Sequence, residues 1–163
     1  MLFLIIKTIH IICVGVWLSL FFYDLILWGK IARAKGKPEE KGLINVWIIS
    51  LNLIGHIGSV GVLFTGIVLS MLNTSYGFFR FASGLNHWLY TKQFIMVVIL
   101  ILIIFVMTPV VKRIKRLLLP ALLSEEPLPE ESYILVDKLK RVDISVNLLV
   151  MLNILLAFSR YLI

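Results

Sequence analysis

The residues of this 163-residue chain that could do chemistry are polar or ionisable groups set inside apolar stretches: Lys7, His10, Asp24, Asn52, His56, Lys92, Asp143, Asn147, Asn153 and Arg160. Each is costly in hydrocarbon and needs a partner or a task. His10 and His56 are the sharpest pair, because neutral imidazole ligates haem iron and helical bundles place such ligands inward from facing helices. His10 lies eight residues into its apolar stretch, roughly 12 Å deep at about 1.5 Å per residue. His56 lies twelve residues into a stretch entered from the other side, near the middle. A bis-histidine haem b held between them is one reading; a hydrogen bond to a neighbouring helix is the other. Lys92, roughly 6 Å inside the third stretch, suits a porphyrin propionate or a carboxylate substrate, although a snorkelling lysine accounts for it equally. The glycine-rich face that carries Gly55 beside His56 would let a flat macrocycle lie against backbone.

The other groups have structural readings. Lys7 and Arg160 stand close enough to chain ends to snorkel. Asp24 is placed to pair with Lys30 or Arg33, and Asp143 opens the last apolar stretch, where the helix dipole favours an anion. Cys13 is the single cysteine, which excludes an intrachain disulfide and a thiolate metal cluster. No phosphate loop, H-E-x-x-H or G-x-S-x-G motif occurs, so phosphoryl transfer and hydrolysis have no support.

The elements that position these residues follow from hydropathy. The chain is 60% hydrophobic with a mean hydropathy of +1.01, against about 45–50% apolar residues in ordinary soluble domains. Apolar stretches at about 2–28, 44–72, 88–111 and 142–163 are each long enough to cross a bilayer. The expected fold is an all-α integral membrane protein, a single domain forming a four-helix antiparallel transmembrane bundle, with short connections between neighbours. The pairs Gly55/Ser59, Gly61/Thr65 and Gly15/Ser19 have the small-x-x-x-small spacing that lets membrane helices approach, which makes the second helix central. Residues 112–119 read as a continuation of the third helix, and the acidic, proline-containing patch 124–131 as a turn.

The net charge of +7 sits in two connections. Lys30, Arg33, Lys35, Lys37 and Lys41 belong to the first; Lys112, Arg113, Lys115, Arg116, Lys138, Lys140 and Arg141 belong to the third; the second holds only Arg80. This asymmetry faces the first and third connections to the cytoplasm and puts both termini outside a cell inner membrane. The basic groups meet anionic lipid, and a nucleic-acid partner is rejected.

Lys7-x-x-His10, with Trp17 seven residues beyond and then Leu20-Phe21-Phe22-Tyr23, resembles the first helix of the HemJ-type membrane protoporphyrinogen oxidases. Trp88-Leu89-x-x-Lys92 is similar to the opening of that family's third helix, and Thr65-Gly66 to part of its second. The likeness covers about half the chain. It implies a helical membrane bundle binding haem b, with His10 and Lys92 as key polar residues; Trp17 is a further candidate cofactor contact. The chain departs from the family at Tyr90, where a histidine is usual, in the basic run 112–116, in lacking an Asn-Glu-x-Pro-Thr motif, and in having His56. These departures suit a relative among small haem-binding bundles, which include CopD-like proteins. The expected function is therefore haem-linked electron transfer from protoporphyrinogen or quinol, in a single chain, a homodimer or a larger membrane complex. A cofactor-free membrane subunit or small-ligand permease is the alternative.

Overall fold

The computed structural model describes residues 1–73, 75–81, 86–124 and 127–159. It contains four long helices: α1 (Leu2–Ala34), α2 (Glu39–Leu72), α3 (His87–Leu122) and α4 (Glu130–Ser159). Each is long and apolar enough to cross a membrane, and no strand occurs among the described residues. Every helix outruns its apolar stretch at the end where the basic connections lie, called here the basic end. The opposite end, with the chain N-terminus, is the terminal end. Residues 112–119 continue α3 as expected. Arg160 lies outside the described residues, as do Glu125 and Glu126 of the acidic patch.

Local chemistry sets the element ends. Gly36 takes a positive φ of 76° after α1, a conformation that costs glycine little. Its N–H donates to Glu40 Oε2 at 2.8 Å, and the Tyr133 hydroxyl donates to the same oxygen at 3.1 Å, so Glu40 ties the α1–α2 turn to α4. At the end of α3, Lys41 Nζ donates to the carbonyls of Ala121 and Ser124 at 2.8 Å each, meeting carbonyls that a helix terminus leaves unpaired. Inside α3, Leu102–Met107 is wound as a π-helix. Pro109 follows at once; it has no N–H to offer and its ring crowds the preceding turn, so a wider local winding absorbs the mismatch. The Thr108 hydroxyl donates to the Ile103 carbonyl at 2.9 Å across that stretch.

α1 and α2 run antiparallel in close contact. A Cβ on Gly55 would lie 3.7 Å from Leu20, one on Gly58 would lie 2.9 Å from Trp17, one on Gly61 would lie 2.5 Å from Cys13, and one on Gly66 would lie 3.6 Å from His10. The glycine face of α2 is thus filled by α1 over its whole length. Gly15 has nothing within 4 Å of the corresponding position and Ser19 is exposed, so that pair does not mediate a helix contact.

Packing density differs between the two halves. On α1 the buried residues are Trp17, Leu20, Asp24, Leu27, Trp28, Ile31 and Ala34, an i, i+3, i+4 stripe that stops two turns short of His10. In the basic half these side chains interlock with Ile44, Trp47 and Ile48 of α2, Val110, Ile114 and Leu118 of α3, and Leu135 and Leu139 of α4. A second cluster joins Trp17 to Ile95, Ile99, Val146 and Val150 near the middle. Above Trp17 the residues Ile6, His10, Cys13, Val62, Lys92 and Asn153 are only half-buried, while Thr65 and Tyr90 are buried. There α1 stays with α2 and the first half of α3 stays with α4; the loosely packed seam between the two pairs is called here the terminal-end cleft.

Candidate functional site

The cleft places His10 of α1 against Thr65 of α2, with His10 Nδ1 2.7 Å from Thr65 Oγ1. Thr65 is 5% exposed, and its hydroxyl lies 2.5 Å from the Gly61 carbonyl, one turn earlier in its own helix. A hydroxyl carries one proton, and a carbonyl can only accept. Thr65 therefore donates to Gly61, so the Nδ1–H of His10 donates to Thr65. The Val62 carbonyl also lies near the ring. Nε2 is left with its lone pair. An imidazole whose other nitrogen is fixed as a donor is the arrangement that orients metal-ligating histidines.

Lys92 enters the same cleft from α3. It is half-buried, its charge acts on His10, and its Nζ stands 5.9 Å from the centre of the Trp88 ring. Trp88 packs edge-on to Tyr76 at 6.2 Å, so the cation rests on an aromatic shelf at the mouth of the cleft. Asn153, one turn beyond Val150 on α4, has a buried Oδ1 with no hydrogen-bond partner. Trp17, 4% exposed and two turns below His10, forms the floor.

His56 takes no part in this site. It stands nine residues before Thr65, roughly 13 Å away along the helix at about 1.5 Å per residue, and its side chain is exposed. Two imidazoles separated in this way do not converge on one iron, which corrects the expectation of a shared bis-histidine centre. Gly55 is likewise covered by Leu20 rather than open to a macrocycle. His87 lies at the start of α3, exposed, with its ring 6.5 Å from Phe81. Among the described residues no group of three or more His, Cys, Asp or Glu side chains is arranged to hold a bare metal ion. A haem iron makes a smaller demand, since the porphyrin supplies four nitrogens and the protein only axial ligands. His10 could supply one such ligand.

Sequence reasoning missed what Tyr90 and Gln93 do. Tyr90 is 1% exposed and its hydroxyl donates to the Tyr76 carbonyl at 2.8 Å. Gln93 accepts from the Phe79 N–H at 2.9 Å and donates to the Gly77 carbonyl at 3.0 Å. Together they bind Tyr76, Gly77 and Phe79 of the α2–α3 connection to α3 beside Lys92. Only the enrichment of the loop in aromatic residues hinted at this.

Asp24 and Asp143 also depart from expectation. α4 begins at Glu130, so Asp143 sits well inside the helix rather than at its opening. Asp24 faces Asp143 and the Trp47 indole in place of Lys30 or Arg33. The chain matches no protein-family model, no curated protein and no solved structure.

Proposed function

We propose that this chain is a four-helix antiparallel integral protein of the cell inner membrane, with both termini outside, that holds one haem b in the terminal-end cleft for electron transfer. The observation that carries the reading is the His10–Thr65 contact at 2.7 Å, which leaves one imidazole nitrogen available in a half-buried cleft within electrostatic reach of a lysine. Four helices of spanning length and basic connections confined to one end support the topology, because Lys and Arg are retained on the cytoplasmic side.

In this reading His10 Nε2 would hold the haem iron, with Thr65 fixing the ring's tautomer and direction. Lys92 neutralises a propionate, and the Trp88 ring beside it limits the cation's freedom. Trp17 closes the cleft from below. Bound haem supplies one-electron chemistry; the protein supplies ligation, low dielectric and an opening toward lipid, through which an apolar donor such as a porphyrinogen or quinol would enter. His56, exposed on the outer face of α2, is available to a lipid, a second copy or another subunit. Purification from haem-replete cells tests the proposal. A Soret band that weakens or shifts in Thr65→Val supports it, and a colourless wild-type protein selects the cofactor-free alternative.

A further inference from the structure

The basic half of the bundle holds a second polar cluster that the haem reading does not use. Asp24 and Asp143 are 0% and 2% exposed and face each other across α1 and α4. The Trp47 indole N–H is directed at Asp24, yet neither Asp24 oxygen, nor Asp143 Oδ2, nor the Trp47 nitrogen reaches regular hydrogen-bond geometry. Trp28, one turn after Asp24, and Asn147, one turn after Asp143, each present a buried and unpartnered donor as well. The two tryptophans meet edge to face at 6.3 Å. Both also line a partly open cavity of about 180 Å³ at the basic end, whose wall includes Lys35, Glu40, Tyr133 and Lys140.

The charged groups around the pair do not neutralise it. α1 brings Lys35, over the Tyr133 ring at 4.9 Å; α2 brings Glu40, held by Gly36 and Tyr133, and Lys41, engaged by two carbonyls. α3 contributes apolar Val110 and Ile114. α4 brings exposed Asp137 on the cavity wall and Lys140, whose Nζ lies over the Trp28 ring at 5.2 Å. Two facing carboxylates in a water-poor interior repel each other and lose their hydration, so the doubly ionised pair is the costly state and a proton shared between them relieves it.

We propose that Asp24 and Asp143 share one proton and form a protonatable site loaded from the basic-end cavity past the Trp28–Trp47 pair. In the loaded state the O–H of one carboxyl donates to the carboxylate of the other. The site then carries a single negative charge, beside the N–H groups of Trp47 and Asn147. On unloading, that proton passes to water in the cavity and the site gains one negative charge.

Infrared spectroscopy of the protein in lipid nanodiscs at neutral pH tests the assignment. The wild type should show the carbonyl stretch of a protonated carboxylic acid, shifting in D₂O. Asp24→Asn and Asp143→Asn should each displace the band, the double variant should abolish it, and Asp137→Asn should leave it unchanged. Ala32→Trp, which fills the cavity wall, should slow the D₂O shift. A wild type with no such band, a band untouched by either single variant, or one that sodium converts to carboxylate would overturn the shared proton. An unchanged exchange rate in Ala32→Trp would overturn the cavity route.

Discussion

Replacing Gly58 with alanine should drive α1 and α2 apart where Gly58 faces the Trp17 backbone. The added Cβ would lie 2.9 Å from the Trp17 Cβ, 3.1 Å from its Cα and 3.2 Å from its nitrogen, whereas ordinary contact begins at 3.4 Å. Two of these atoms are backbone, so no rotamer change relieves the clash and one helix must move by about half an ångström. Overpacking of this kind typically costs about 1–3 kcal/mol. Alanine also gains up to about 1 kcal/mol over glycine in a helix interior. Gly15→Ala is the matched control, since it gains the same propensity in open space. Unfolding in mixed micelles of dodecylmaltoside and SDS should place Gly58→Ala below Gly15→Ala by about 1–3 kcal/mol, the overpacking cost alone. Equal stability of the two variants would refute the packing argument, because the only difference between them is the surface of Trp17.

Three further perturbations probe other contacts. Lys41→Met removes two hydrogen bonds to the end of α3 and should cost about 1.5–3 kcal/mol, the range for bonds to charged groups, read in the same micelle titration. Arg113→Ala breaks the ion pair with Glu131, whose partners are 65% and 44% exposed, and should change stability by less than about 1 kcal/mol. Gly61→Ala would meet the Cys13 side chain; pairing it with Cys13→Ala should recover most of the loss, whereas additive losses would place the contact elsewhere.

How much of this was legible in the sequence depends on the period of the signal. The four apolar stretches announced the helices, but hydropathy could not show that α4 starts at Glu130. The segment 130–141 is charged and half-buried, and its start is marked only by acidic residues after Pro129. Asp143 was therefore read as a helix opening. The position of His56 was recoverable: at about 100° per residue it stands about 160° around α2 from Gly58, on the face opposite Gly58, Gly61 and Thr65. Which neighbour fills the glycine face was not recoverable, since small residues license approach without naming the partner. The meeting of Asp24 with Asp143 depends on the stagger of α1 against α4, which no local pattern encodes. His10 and Lys92 stand out in the sequence as ionisable groups inside two apolar stretches; Thr65, whose hydroxyl meets the imidazole, is visible only through the α1–α2 register.

The most direct measurement is the haem-to-protein ratio, by pyridine haemochrome, of wild type, His10→Ala and His56→Ala purified in parallel from haem-replete cells. If His10 holds the proposed haem, the wild type and His56→Ala should carry about one haem per chain, and His10→Ala little or none. Haem lost with His56 but kept without His10, or no haem in the wild type, would contradict it.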